Sequence, residues 1–476
     1  MASIAMELQL RRTCTWSPSP QMRQHRLGFG CKKINGLTHA PVERPCAASA
    51  SSARAAATSP GATASLLHNT VLQCVMPFIM PAAAAIATAT YAGAILPPDA
   101  SAASSWLRPL LVGCGPLLLH GLIPLLDWLV MGRDHKQQQQ QQPAGKAPPA
   151  DDLAARLVPT LAIAAHLAAA AVAYAAVAAA AAAAPPQPPY MLPLLLYSVG
   201  TSAAVTMGGA HELVHSRHPV HLAAAATFLT AYWWYPYYRA HHQHHLHVCT
   251  PVDYTCAPKG LNVYSYFGQY FAGSYAEAWE LSIQECDRAG QPHFSATNST
   301  LVALGAQALL TAALAAALGP AAAAFHLGVT VVMLTYMAIF DYVLHYGLVR
   351  PPLAATSNPP PAAAAAVTSA TSSSSGGGGG GGRRRYTPIT PYTSWNSLYP
   401  LENGMLFSVL LHSDHHLAAS KSYGWLRAPS ASSSPAPLFP SPINLLGLSV
   451  FIPPLWRAIM DERADEANAR HLEYLS

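Results

Sequence analysis

Four short histidine clusters lie at the borders of apolar segments, and this arrangement restricts what the chain can become. Nine of the 22 histidines fall within residues 211–247, and two further clusters occur at His345 and in the segment HSDHH (412–416). Neutral imidazole is a common ligand of iron, copper and zinc. A polar side chain at membrane depth is costly without a partner. The pattern therefore predicts a metal site at a membrane face, built from several segments.

The composition is that of a membrane protein. Only 10% of the 476 residues are charged, against about 25% in an average soluble domain. The net charge of +5 is modest, and no dense basic run with interleaved aromatic residues indicates a nucleic-acid partner. We predict an all-α, integral membrane helical bundle with about six transmembrane helices. A span needs about 20 apolar residues, and the candidates are 71–96, 107–131, 157–184, 190–210, 219–238, 300–319, 321–344 and, near the interface, 440–457.

The N-terminal region differs in composition from the rest. Residues 1–60 contain only two acidic residues, Glu7 and Glu43, among many Arg, Ser, Ala and Thr. This is typical of an organelle transit peptide, for a chloroplast or, as the alternative, a mitochondrial membrane, although a plain disordered tail is also open. One membrane domain is predicted over 70–460. Three low-complexity loops interrupt it, at 134–153, 351–385 and 427–442, and a C-terminal tail follows at 461–476.

The spacing within the clusters indicates metal ligation. HELVH places His211 and His215 four residues apart, on one face of a helix, where both can bind one metal. The same letters are the zinc-protease signature, in which Glu212 would be the general base. A histidine-rich metal carrier or a haem anchor is a further, non-enzymatic alternative. Open nitrogen sites suit Fe(II) in oxygen chemistry, whereas a structural zinc would be closed with four ligands.

Seven segments together resemble one family. It is the membrane non-haem di-iron alkane 1-monooxygenases (alkane omega-hydroxylases), within the wider fatty-acid-desaturase-like superfamily, and the resemblance covers about 110–460. The segments are IPLLDWLVMGRD (123–134), HELVHSRH (211–218), HHQHHLHVCTPVD (241–253), FDYVLHYGLVR (340–350), SWNS (394–397), LLHSDHH (410–416) and FIPPLWRAIMD (451–461).

The resemblance implies two iron ions held by nine histidines, with O2 as co-substrate. Glu212 would orient a ligand from outside the iron centre. None of the eight cysteines forms a CxxC pair, so electrons would come from a separate rubredoxin or ferredoxin with its reductase. The implied ligands are His211, His215, His241, His244, His245, His345, His412, His415 and His416.

The implied reaction is hydroxylation of an alkyl chain, at the terminal methyl of an alkane, to a primary alcohol. The alternative is a fatty-acyl or other lipid desaturase or hydroxylase of the same superfamily. The sequence departs from the family pattern in three boxes: the second has HxxHH spacing after Ala240, Asp341 and Leu344 replace the usual Asn and Glu, and Leu411 stands where Arg is common. We expect these departures to affect the choice of substrate and redox partner more than the metal centre.

Overall fold

The structure, a computed structural model, describes residues 72–97, 102–134, 152–183, 187–353, 386–427 and 436–476. Regular structure in these ranges is helical, apart from the isolated β-bridges Pro352–Tyr386 and Asn396–Leu438. This confirms the all-α prediction. The predicted transit peptide and most of the three low-complexity loops lie outside the described residues.

The helices are numbered here in chain order. They are α1 (Ile79–Tyr91), α2 (Ala102–Val112), α3 (Cys114–Leu117), α4 (Ile123–Asp134), α5 (Leu157–Ala182), α6 (Met191–Val214), α7 (Pro219–Ala231), α8 (Tyr235–His247), α9 (Val263–Arg288), α10 (Ser299–Leu318), α11 (Pro320–His345), α12 (Pro400–Met405), α13 (His412–Leu417), α14 (Ile443–Ser449) and α15 (Pro453–Leu475).

Among the described residues, five helical segments are long and apolar enough to cross a membrane, and these contain α1, α5, α6, α10 and α11. A sixth span results if the bent pair Trp106–Val112 and Cys114–Leu129 is counted as one. The prediction of about six transmembrane helices is therefore confirmed, and the protein is a multi-pass membrane protein.

The bend of 74° in that pair has a cause in its sequence. Pro109 lies inside α2 and cannot donate an intrahelical hydrogen bond, and α2 ends before Gly113. Beyond the bend, the backbone N–H of Gly115 donates to Oγ of Ser198 on α6 at 3.2 Å. A Cβ at Gly115 would lie only 2.7 Å from Cα of Ser198, so glycine permits this close packing of α3 on α6.

The candidate span 219–238 is not one helix. The helix α7 is only 13 residues long, and the backbone of Trp233 then turns with a φ of +56°. The chain resumes as α8 at Tyr235, with proline at its start. The apolar run is therefore divided, and α8 presents the densest histidine cluster. Similarly, the candidate 440–457 divides between α14 and the first residues of α15.

Two later helices complete the region outside the spans. The 26-residue helix α9 begins at a cap in which Asn262 accepts a hydrogen bond from the backbone of Ser265. The predicted tail 461–476 is helical through Leu475 as part of α15. It packs against the end of α11, because Oη of Tyr346 donates to Asp461 at 2.7 Å.

Candidate metal centre

All nine histidines of the implied ligand set lie at or near helix ends and are buried. His211 lies in the last turn of α6, and His215 is the residue directly after that helix. His345 is the last residue of α11. The other six lie on two short helices: His241, His244 and His245 on α8, and His412, His415 and His416 on α13.

The structure brings these side chains together in two groups. Within each group the ring nitrogens that could bind a metal lie within 4.8 Å of one another. Each group combines residues from at least three helices, so that only the folded chain assembles them. Group A is His211, His215, His241, His245 and His415, and group B is His244, His345, His412 and His416.

The spacing of the ring nitrogens fits a coordination sphere. In group A, Nε2 of His241 lies 3.0 Å from Nε2 of His215 and 3.1 Å from Nε2 of His245. In group B, Nε2 of His412 lies 3.2 Å from His345 and 3.1 Å from His416. With metal–nitrogen bonds of about 2.1 Å, two ligands at a right angle are about 3.0 Å apart, and two at the tetrahedral angle about 3.4 Å. The nitrogens are therefore spaced as ligands of one metal ion in each group.

Several of these nitrogens have no partner in the protein. Both ring nitrogens of His211 are buried without a hydrogen bond, and so is Nδ1 of His245, His415 and His416. A buried polar atom left without a partner costs about 1–3 kcal/mol. The side chain of His211, within group A, therefore lacks a partner that a metal ion would supply to one of its two nitrogens.

Burial keeps most of these imidazoles neutral. It lowers the pKa of His215, His241 and His415 well below the usual value, and neighbouring imidazoles lower it further. The pKa of His412 and His416 is lowered for the same two reasons. A histidine must be unprotonated to bind a metal. These side chains therefore need not lose a proton before ligation.

His244 differs because a carboxylate holds it. Burial alone would lower the pKa of His244, but the adjacent Asp253 outweighs burial and raises it. Nδ1 of His244 donates to Oδ2 of Asp253 at 2.8 Å. Because Nδ1 carries this proton, Nε2 is the nitrogen left to face group B. Such a carboxylate–histidine pair orients a ligand and makes it more basic.

Backbone carbonyls orient two further members of group B. Nδ1 of His345 donates to the carbonyl of Thr393 at 3.0 Å, and Nδ1 of His412 donates to that of Val409 at 3.0 Å. Each bond fixes the tautomer that leaves Nε2 unprotonated. Together with His244, three of the four group B rings are therefore held with Nε2 directed to the centre.

The SWNS segment joins α11 to α13. The backbone N–H of Trp395 donates to the carbonyl of Leu344, beside His345, at 2.9 Å. Asn396 and Ser413 exchange two hydrogen bonds: Nδ2 of Asn396 donates to Oγ of Ser413 at 2.7 Å, and the backbone N–H of Ser413 donates to Oδ1 at 2.9 Å. This segment therefore fixes the position of the HSDHH helix relative to His345.

Glu212 lies between two group A histidines, but its carboxylate bonds elsewhere. It forms an ion pair with Nε of Arg156 at 2.7 Å and accepts from the backbone N–H of Tyr423 at 3.1 Å. Arg156 also donates to the carbonyl of Ser420. Glu212 therefore ties the end of α6 to the start of α5 and to the loop after α13, the helix that carries three of the nine histidines.

Sequence reasoning named only Glu212 as a residue that orients a ligand and did not assign Asp253 or Asn396. Asp253 and Asn396 lie in segments that the resemblance includes, TPVD and SWNS, so a signal for them existed. Two buried thiols also bond these supports: Cys256 donates to Oδ2 of Asp253 at 3.1 Å, and Cys249 donates to the carbonyl of Thr393 at 3.0 Å. Their partners adjoin His244 and His345, which only the folded structure reveals.

Both groups border one apolar cavity. This metal-facing cavity has a volume of about 50 Å³. His211 and His241 of group A and His244 and His412 of group B line it. The rest of its wall is mainly apolar or aromatic, and includes Met207, Tyr237, Met337, Phe340 and Val409. A hydrocarbon could therefore approach both groups without bringing water.

Fold and site together define a class: a helical membrane protein with two all-histidine groups that could each hold a metal ion, most of the histidines near helix ends. The family model described as Fatty acid desaturase matches residues 186–431, more than half of the chain. The protein belongs to the fatty acid desaturase family, which confirms the superfamily inferred from the motifs.

Its curated relatives include several alkane 1-monooxygenases. Alkane 1-monooxygenase 2 of Pseudomonas aeruginosa is 30% identical over 271 residues, covering 56% of this chain and 63% of that protein. Alkane 1-monooxygenase 2 of Alcanivorax borkumensis is 27% identical over 280 residues, 58% of this chain and 64% of that protein. The alkane 1-monooxygenase of Acinetobacter baylyi is 26% identical, with 57% and 59% covered. The chain thus spans less than two thirds of the length of these relatives.

Proposed function

We propose that this protein is a membrane di-iron monooxygenase that hydroxylates the terminal methyl of an alkyl chain, most simply an alkane. The reaction consumes RCH3, O2, two electrons and two protons and yields RCH2OH and water. The observation that carries the proposal is the convergence of nine buried imidazoles, in two groups, on one apolar cavity. Similarity to alkane 1-monooxygenases supports the same reaction class.

The donor set fits two iron ions. Group A offers five nitrogens and group B four, and in each group they lie close enough together to bind one metal ion. Imidazole is a suitable ligand of iron. Bound iron would supply the activation of O2 and the cleavage of a strong C–H bond. We assign the nine histidines as ligands, and Glu212 as a residue that holds the end of α6 in place from outside the centre.

The protein's own residues prepare the site. Asp253 and the carbonyls of Thr393 and Val409 hold the Nδ1 protons of three ligands, so the opposite nitrogens are free for metal. The mainly apolar wall around Met337 and Phe340 excludes water, and the cavity of about 50 Å³ has room for the end of an alkyl chain. An alkyl chain that enters from the bilayer would therefore place its C–H bonds, and no polar group, near groups A and B.

Desaturation is the second candidate, because the matching family model is that of fatty acid desaturases. The HxxHH spacing of His241, His244 and His245 is also closer to that pattern. Both reactions begin with removal of a hydrogen atom from the chain, and they differ only in the second step. Product analysis therefore separates them: a primary alcohol for hydroxylation, an alkene for desaturation.

The two remote alternatives fit the geometry less well. In an intramembrane metalloprotease, Glu212 would act as a general base on a metal-activated water, but its carboxylate is engaged by Arg156 and the backbone of Tyr423. A metal carrier needs polar residues along a path across the membrane. Here the nine histidines gather instead in two adjoining buried groups at helix ends.

The chemistry of the reaction determines the partners. We propose a separate rubredoxin or ferredoxin with its reductase as electron donor, since no CxxC pair occurs in the sequence. The substrate is a hydrophobic alkyl chain that arrives from the lipid bilayer. The composition of residues 1–60 supports a chloroplast membrane as the location, with a mitochondrial membrane as the other candidate.

The proposal is tested by reconstituting the purified protein with dodecane, 18O2, ferredoxin, ferredoxin reductase and NADPH. We expect 1-dodecanol that carries one 18O atom, identified by mass spectrometry. His415→Ala should abolish this product, because it removes a nitrogen from the middle of group A. His293→Ala is the matched control, because His293 is an exposed histidine that pairs with Asp287.

Two outcomes would refute the assignment. Undiminished alcohol formation by His415→Ala would show that group A takes no part in the reaction. An alkene formed from a dodecyl or acyl substrate, with no 18O in any product, would show that the protein desaturates its substrate and does not hydroxylate it.

A further inference from the structure

Three polar side chains meet in an otherwise apolar part of the membrane domain. Nε2 of His120 contacts Oη of Tyr336, and Oη of Tyr197 lies 2.5 Å from Oη of Tyr336. They come from three elements: His120 from the turn after α3, Tyr197 from α6 and Tyr336 from α11. We call them the polar triad. A polar group at membrane depth is costly unless paired, so these three stabilise one another.

One backbone carbonyl fixes the direction of every hydrogen bond in the triad. Nδ1 of His120 lies 2.9 Å from the carbonyl oxygen of Asn444, which can only accept. Nδ1 therefore carries the proton of neutral His120, and Nε2 is left as an acceptor. The hydroxyls of Tyr336 and Tyr197 both contact Nε2, but the contact of Tyr336 is much the shorter and that of Tyr197 is 3.4 Å, so Tyr336 is the donor. The oxygen of Tyr336 then accepts from the hydroxyl of Tyr197. All donors of the triad are thereby used, and the oxygen of Tyr197 keeps lone pairs that can accept.

The backbone that carries His120 is unusual. Residues Leu118–Leu122 form a π-helical turn between α3 and α4. Such turns are rare, and they occur frequently at functional sites because the extra residue re-aims a side chain. Here the re-aimed side chain is His120, which reaches both Tyr336 and the carbonyl of Asn444.

The triad lines a second cavity, larger than the metal-facing one. This outer cavity has a volume of about 270 Å³, and apart from the triad its wall is mainly aliphatic and aromatic, with Val331, Ile339 and Leu448 among its members. Three residues line both cavities: Tyr336, Phe340 and Asn444. The two spaces are therefore neighbours, and the triad lies beside their common wall.

The wall of the outer cavity offers an acceptor rather than a donor. The side-chain amide of Asn444 interacts with the carboxylate of Glu402 and stabilises its charged form, and that carboxylate also accepts from the backbone N–H groups of Ile443 and Asn444, each at 2.9 Å. The oxygen of Tyr197 lines the cavity as an unused acceptor, so a ligand that matches it must donate. An alcohol donates a hydrogen bond, whereas an ether can only accept one and an alkane can do neither.

We propose that the outer cavity binds an alkyl chain that bears a hydroxyl group, with the hydroxyl donating to the oxygen of Tyr197. The ligand is either the alcohol product on its way from the metal-facing cavity, a reading that rests on the proposed function, or a hydroxylated lipid that arrives as substrate. In both cases Tyr197 distinguishes an alcohol from a hydrocarbon.

The test is equilibrium binding to the full-length protein in lipid nanodiscs, without iron or turnover. The probes are radiolabelled 1-dodecanol and dodecyl methyl ether, each corrected for partition into empty nanodiscs. One hydrogen bond separates them, so the wild-type protein should prefer the alcohol about fivefold. Tyr197→Phe should reduce that preference to about twofold or less. Tyr190→Phe, which alters an exposed tyrosine, should retain it.

The alcohol-to-ether ratio is measured within each variant, so it does not depend on the fraction of folded protein. Equal binding of the two probes by the wild type, or an unchanged ratio in Tyr197→Phe, would overturn the proposal. During turnover with dodecane, a product ligand should inhibit competitively and remain intact, whereas a substrate ligand should disappear as it gains a second oxygen. Because the binding assay needs no catalysis, absence of hydroxylation with a retained preference would refute the proposed function and leave the alcohol site standing.

Discussion

Asp253 places a carboxylate oxygen 2.8 Å from Nδ1 of His244, and this pair links a loop outside the spans to group B. The aspartate is itself held: its other oxygen accepts from the backbone N–H and the hydroxyl of Thr255, at 3.0 and 2.6 Å. A ligand whose support is fixed in this way is pre-oriented for metal.

Asp253→Asn should weaken metal binding at group B. The amide can still accept from Nδ1 of His244, but the negative charge that makes the ring more basic is lost. Changes of such supports lower metal affinity about 10–100-fold, so we expect at least a tenfold loss in a competitive chelator titration. Asp465→Asn, at an exposed ion pair with Lys259, is the control. Equal affinity in both variants would show that Asp253 does not support a ligand.

Asn396→Ala should destabilise the fold and loosen group B. Asn396 is fully buried and exchanges two hydrogen bonds with Ser413, the neighbour of His412. Its removal leaves buried groups unpaired, at a cost of about 1–3 kcal/mol each. We expect a clearly lower Tm in detergent and a partial loss of bound iron. A wild-type Tm would contradict the assigned role of the SWNS segment.

Stability should depend on pH through Glu402. Burial raises the pKa of Glu402 from 4.5 to about 8. Between these values the unfolded chain releases a proton that the folded protein keeps, so the stabilising contribution is complete at low pH and is lost as pH rises through about 8. The Tm of the wild type relative to Glu402→Gln should therefore fall from pH 5 to pH 8. A difference that is constant, or that grows over this range, would contradict the prediction.

Phe340→Ala should change which chain lengths react. Phe340 lines both the metal-facing and the outer cavity, so its truncation opens one into the other. Competition among C8 to C20 alkanes, analysed by gas chromatography, should show a product distribution shifted to longer chains. Leu309→Ala, at an exposed position on α10, should leave the distribution unchanged. An unshifted distribution in Phe340→Ala would mean that this side chain does not limit the length of the substrate chain.

Local spacing predicted part of the site. The i, i+4 relation of His211 and His215 places both on one face near the end of α6, as the structure has them. The spacing of the histidines could not predict that four distant segments meet, because their convergence depends on how the membrane spans pack together. The resemblance to a known family supplied that step, and the geometry agrees with it.

Other features needed tertiary structure. The run 219–238 is apolar enough for a span, but a single backbone turn at Trp233 divides it, and hydropathy does not register such a turn. Asp253, which supports His244, lies nine positions further along the chain, beyond the end of α8. The polar triad joins residues up to 216 positions apart, a separation at which sequence patterns carry no signal.

Elemental analysis of the purified protein tests the central claim most directly, combined with X-ray absorption at the metal edge. Two irons per chain are predicted, with nitrogen neighbours at about 2.1 Å and no sulfur ligand, although Cys249 and Cys256 lie beside group B. A chain that binds a single tetrahedral zinc, or no metal at all, would contradict the account.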